Sequence, residues 1–123
     1  MNIDNGTLSE VLTRDGAFEL TVSPDKKHFA YRYSYINMPW EVFISKSSKK
    51  RFERQITHCT SKSFERFNWM VPDVKTFEAS DGEPIYLRVY KPDSIKSNNA
   101  AVLFVHGAGY LQNAHKFWSN YYR

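Results

Sequence analysis

The stretch whose reading decides the fold is AVLFVHGAGYLQNAHKFW, Ala101 to Trp118. Ala101 to Val105 are apolar without interruption, the composition of a strand covered on both faces rather than one. His106-Gly107-Ala108-Gly109-Tyr110 follows, and its glycines suit a sharp turn. Asn113 then reads as an N-cap, while Phe117, Trp118, Tyr121 and Tyr122 form one apolar face of a helix predicted over Asn113 to Arg123. Strand, glycine turn and helix in that order open an α/β unit.

Upstream of this unit, VKTFEAS and PIYLRVYKP flank Asp81-Gly82, a tight-turn dipeptide, and read as a hairpin. The pattern before SKSFERFNWMVPD is different. There TLSEVLT, AFELTVS, HFAYRYSY, WEVFIS and RQITH are short runs rich in β-branched and aromatic residues, divided by Asp15-Gly16 and Ser23-Pro24-Asp25. Alternation is clearest at Phe29, Tyr31, Tyr33 and Tyr35. The four runs from Ala17 to Thr57 predict an antiparallel meander of the size of one β-propeller blade, ~40 to 45 residues. TLSEVLT then becomes the outer strand of a preceding blade. A boundary near Trp69 to Asp73 separates residues 1–68, a partial propeller domain, from residues 69–123, the start of an α/β domain.

Composition narrows the function classes. The 123 residues are 41% hydrophobic, 24% charged and 16% aromatic, which suits a folded globular chain. The net charge of +4 is concentrated in KSSKKRFER, Lys46 to Arg54, read as a solvated loop; no nucleic-acid partner follows from it. Cys59 is the single cysteine, so no intrachain disulfide forms, and it reads as a small packing residue. No run approaches the ~18 apolar residues of a membrane span. MNIDNGTLSEVLTRDG lacks a basic stretch followed by an apolar core, and Asn5-Gly6-Thr7 reads first as a turn, although it fits a glycosylation sequon.

The chemistry of HGAGY is narrowed by spacing. A dinucleotide fingerprint needs a small residue where Gln112 stands, and a phosphate loop needs a Gly-Lys-Ser/Thr that the chain lacks. His106 and His115 are too far apart for a zinc pair on one helical turn, so no metal and no cofactor is expected. An oxyanion-hole loop after the third strand of an α/β-hydrolase remains. Negative charge develops on a carbonyl oxygen under nucleophilic attack, and a preorganised donor there lowers the barrier by about 2.7 to 4 kcal/mol. The competing reading is a strand-to-helix turn that uses glycine for geometry alone.

The ordered series SPDKKHFAYRYSYINMPWEVFI, WMVPDVKTFEASDG, VYKP and VLFVHGAGYLQNAHKFWSNYYR resembles the prolyl oligopeptidase family of serine peptidases, especially its dipeptidyl peptidase IV-like bacterial members. The resemblance runs from about Gly16 onward. It implies a β plus α/β fold: the last blade of a β-propeller, then the first strands and first helix of an α/β-hydrolase domain, incomplete. It also implies exopeptidase action on short peptides by a Ser-His-Asp triad, with His106, Gly107 and Tyr110 in the oxyanion-loop region. His106 stands where the family carries an oxyanion-stabilising tyrosine. An imidazole donor and a backbone donor, with Tyr110 lining the pocket, are both open. The compartment is periplasmic or exported if like the bacterial relatives, and otherwise cytoplasmic.

The triad is not in this chain. None of Gly6, Gly16, Gly82, Gly107 and Gly109 stands in a G-x-S-x-G frame, and His28, His58 and His115 read as surface residues rather than bases. The expected chain is therefore an internal or C-terminally truncated piece, inactive alone. An esterase fragment and a basic, aromatic interaction module are the competing readings. A fluorophosphonate probe is expected to leave every serine of the 123-residue chain unlabelled; mass spectrometry showing an adduct on any of them overturns the missing triad.

Overall fold

The computed structural model describes residues 5–8, 10–47, 52–92, 97–109 and 111–119. Its elements are β1 (Ala17–Val22), β2 (His28–Tyr35), β3 (Met38–Lys46), β4 (Glu53–Gln55), α1 (Lys62–Arg66), β5 (Asp73–Glu78) and β6 (Pro84–Val89). They form a four-stranded sheet in the order β1-β2-β3-β4 and a two-stranded sheet of β5 and β6, antiparallel throughout.

Local chemistry explains the first reversal. The Ser23 hydroxyl accepts from His28 N at 3.0 Å, and Asp25 Oδ1 accepts from Lys27 N at 3.0 Å. Lys26 absorbs the reversal in a left-handed conformation, φ 57°. Such side-chain-to-backbone bonds are why Ser and Asp favour turns. The hydrogen bond from Ser23 also holds the Asp25 carboxyl below the usual range.

Alternation along β2 buries Phe29, Tyr31 and Tyr33, which join Phe43 of β3 in the core. The register sets Tyr31 opposite Phe43, and their rings stack at 5.4 Å between centroids. Each such side chain contributes about 1.5–3 kcal/mol by leaving water, and ring pairs add about 0.5–1.5 kcal/mol. The alternation stops at Tyr33, where a register irregularity leaves Tyr35 only half-buried and Ser34 buried.

Arg14 covers this aromatic face. Its guanidinium lies 3.9 Å from the Tyr33 ring centroid and 4.7 Å from that of Phe43, donates to Tyr31 Oη at 3.0 Å and meets Glu53 at 2.6 Å. Thr7 to Thr13, expected as the outer strand of another blade, contains no strand among its described residues. Leu12 instead packs against the aromatic cluster.

The propeller-blade-plus-hydrolase fold class is overturned. The chain is mostly β-structure in two small sheets, its one described helix has five residues, and among the described residues no first hydrolase helix is present. Ala101 to Gly107 form no strand, and Val102, Leu103, Phe104 and Val105 are exposed. A strand buried on both faces needs a neighbouring ladder and two covering layers, and the described residues supply neither for this segment. Residues 113–119 are not helical; residues 120–123 of the expected helix lie outside the described residues. A short helix rich in aromatics begins at an unfavourable nucleation cost, and here the rings dock individually instead.

That docking joins the two sheets' surroundings. Phe117 lies 6.0 Å from Trp40 of β3, Trp118 N donates to Ser34 Oγ at 3.0 Å, and the Phe117 carbonyl accepts from Arg88 of β6 at 3.3 Å. The Lys116 ammonium reaches Asp15 at 2.8 Å, which raises its pKa.

Helix α1 was not expected. Ser61 caps it by accepting from Phe64 N at 3.2 Å, and Glu65 supplies an acidic residue to its first turn.

Gly16 is the tightest backbone approach. It has φ 139°, and a Cβ there would stand 2.5 Å from the Tyr33 ring and 2.6 Å from the Ser34 carbonyl oxygen. Gly82, φ 86°, would meet nothing within 4 Å. Gly16→Ala is therefore expected to destabilise by about 2–4 kcal/mol, combining backbone strain with a clash, and Gly82→Ala by about 1 kcal/mol. Urea unfolding followed by tryptophan fluorescence checks the order; equal midpoints for the two variants contradict it.

Candidate functional site

The HGAGY loop is an open turn. Gly107, Ala108 and Gly109 are exposed, His106 is half-buried, and Leu111 N donates to the Ala108 carbonyl at 3.1 Å to close the turn. The left-handed position belongs to Ala108, φ 62°, rather than to either glycine. A Cβ on Gly107 or Gly109 would meet nothing within 4 Å, so no close packing there requires glycine. His106 Nδ1 lies 3.2 Å from the Gly107 carbonyl. Tyr110 lies outside the described residues. His106 and Gly107 are thus adjacent in sequence on a turn whose described glycines face solvent.

The remaining histidines and the cysteine have different surroundings. His58 is exposed, with Nδ1 3.4 Å from Gln55 Nε2. Cys59, expected to pack, is exposed at its side chain, and its N–H donates to Glu41 Oε1 at 2.6 Å. Cys59 lies past the end of β4, outside the strand ladder. His115 is more enclosed than His58 or Cys59. Its ring stacks on Phe117 at 3.5 Å, and Nδ1 lies 3.4 Å from Arg88 Nη1. Burial first, and the Arg88 charge second, push its pKa below the ordinary 6.5.

A cleft of about 450 Å³ is the most clearly concave feature near these groups. The start of β3, the end of β4 and α1 with its C-terminal continuation to Trp69 form its walls. Glu41 is its buried charged residue, at 2% exposure. The Thr57 hydroxyl donates to Glu41 Oε2, and Thr57 Oγ1 accepts from Val42 N at 2.8 Å, so the carboxylate is tied to the strand ladder. Sequence reasoning missed this site, although a signal was present. Glu41 stands two residues before Phe43 on an alternating strand, which places a carboxylate on the core face.

The basic run is described only at its ends. Lys46 and Arg54 are exposed; Lys49, Lys50 and Arg51 lie outside the described residues. Among the described residues no group of three or more His, Cys, Asp or Glu is placed to hold a metal ion, and no helix is long and apolar enough to cross a membrane. Comparison with protein-family models, curated proteins and solved structures finds no match to this chain.

The His115 environment has a measurable consequence. Between pH 7 and the depressed folded-state pKa, the unfolded histidine takes up a proton that the folded one refuses. Stability contributed by neutral His115 is therefore expected to fall as pH drops below about 6.5. NMR titration should place the His115 imidazole midpoint below 6.5, and His115→Gln should flatten the stability slope in that window. A midpoint at or above 6.5 contradicts the burial argument.

Proposed function

We propose that this chain is part of a serine-type exopeptidase of the prolyl oligopeptidase kind, a dipeptidyl or oligopeptidase that hydrolyses short peptides. The observation that carries the reading is the ordered sequence ending in HGAGYLQNAHK, with Gly107 and Gly109 around a turn whose backbone is open to solvent. In this reading the loop contributes oxyanion stabilisation, and the nucleophile, base and acid come from sequence outside these residues.

The chemistry divides accordingly. A serine hydroxyl attacks the scissile carbonyl while a histidine takes its proton, and charge accumulates on the carbonyl oxygen. N–H donors from the 106–110 loop, or the His106 imidazole, hold that charge. The same histidine then protonates the leaving amine, and water releases the acyl group. Nothing in this division asks for a metal or an organic cofactor.

The test uses the full-length product of the coding sequence that contains these residues. It is expected to carry G-x-S-x-G after Arg123, to be labelled there by a fluorophosphonate, and to cleave peptidyl anilides. Removing a loop donor by His106→Ala or Gly107→Pro should lower kcat about 10²- to 10³-fold in at least one of the two variants, with KM little changed. Absence of labelling, or full kcat in both variants, overturns the proposal; hydrolysis of simple esters without peptidase activity replaces it with an esterase.

A further inference from the structure

The cleft between β3 and α1 binds an organic ammonium ion, we infer, with Glu41 and Glu65 as its anionic side and Phe64, Phe67 and Trp69 as its aromatic side. This does not depend on the peptidase reading and concerns residues remote in sequence from the HGAGY loop.

Charge is the first argument. The chain is net +4, yet the cleft lining contains two carboxylates and neither lysine nor arginine. Glu41 is 2% exposed, and among the described residues no cationic side chain is bonded to it. Burying a carboxylate is costly unless it is hydrogen-bonded and paired with positive charge. The hydrogen bonds are in place, from the Thr57 hydroxyl and from Cys59 N at 2.6 Å. They use two of the roughly four acceptor positions a carboxylate offers. Among the described residues, positive charge is the missing component.

The opposite wall supplies the second argument. Phe64 and Trp69 lie 4.8 Å apart between ring centroids, and Phe67 and Trp69 4.4 Å apart, in tilted arrangements. Trp69 Nε1 donates to the Phe64 carbonyl at 3.0 Å, which fixes the indole. Rings held in this way offer electron-rich faces to a cation, an attraction worth more where water is excluded. Phe67 remains 60% exposed, so an aromatic surface is open at the edge.

Size and composition select the ligand class. A volume of about 450 Å³ falls within the range of about 300–1,000 Å³ usual for small-molecule sites. Met38 and Pro39 add apolar surface beside the carboxylates. An ammonium group on a short hydrophobic body satisfies both walls, whereas a neutral or anionic analogue of the same shape satisfies only one.

The test is titration of the protein with 2-phenylethylamine, its neutral N-acetyl derivative and 3-phenylpropionate, followed by the indole N–H resonance of Trp69. The amine is expected to shift that resonance saturably, and the other two compounds to leave it in place. Glu65→Gln keeps an acceptor for Thr60, which donates to Glu65 Oε1 at 2.9 Å, and removes one charge. It should weaken amine binding about two- to fivefold. Phe67→Leu should weaken it about two- to tenfold by removing an exposed ring. Glu41 is left intact because it holds Thr57 and Cys59. Equal binding of the acetylated compound, no saturable shift with the amine, or unchanged affinity in both variants overturns the assignment.

Discussion

The constraint on which the structure depends is that the four-stranded sheet has an aromatic face that, among the described residues, no second sheet covers. Arg14 answers that constraint. Its guanidinium spreads over Tyr33, Phe43 and, at 5.9 Å, Tyr31, while Glu53 holds its outer edge. A cation over ring faces retains hydrogen-bonding capacity toward solvent, which an aliphatic lid lacks, so a thin structure can close its core with a residue that is itself only partly buried. The enclosed Tyr31 hydroxyl reflects this: burial drives its pKa well above 10, against the opposing pull of the Arg14 charge. Phe18 completes the cover from β1, 4.9 Å from Tyr33 between centroids.

The register that builds this core also builds the cleft. Because β2 and β3 pair with Tyr31 opposite Phe43, Tyr33 stands opposite Glu41. Period-two alternation then gives β3 the buried series Glu41, Phe43, Ser45, in which a carboxylate occupies a position that packing alone would give to an apolar residue. A slip of one residue would expose Phe43 and bury Val42 and Ile44, relieving Glu41 but destroying the aromatic stack. The aromatic energy therefore fixes the carboxylate in place, and Thr57 and Cys59 at the end of β4 accommodate it with hydrogen bonds.

Legibility in the sequence followed the range of the interactions involved. The strands at Ala17, His28 and Met38 were readable because turn residues and side-chain alternation are local, and so was the hairpin around Asp81-Gly82. AVLFV carried an equally strong local signal for a buried strand, but a strand exists only with a partner edge, and the described residues give it none. The described part of the Asn113 helix failed for a related reason: Phe117 and Trp118 make separate contacts, with Trp40 and with Phe64 and Trp69, instead of lining one helical face. HGAGY was legible as a turn, although its strained position falls on Ala108 rather than on a glycine. The cleft was not legible as a site, since α1 reaches Glu41 only through the tertiary path of residues 56–69.

Trp69 ties the cleft to the far end of the chain. One side of its indole belongs to the cleft wall with Phe64 and Phe67, and Trp118 meets it edge-on at 5.0 Å while also lying 5.1 Å from Phe64. Trp118 is in turn fixed by its N–H to Ser34, a residue at 0% exposure, and its neighbour Lys116 by Asp15. The aromatic wall is therefore not a property of α1 alone, because a five-residue helix with no buried residue cannot hold three rings by itself. It stands because the segment from His115 to Trp118 braces it from behind. Any loosening of that segment must alter the wall against which a ligand of Glu41 and Glu65 would rest.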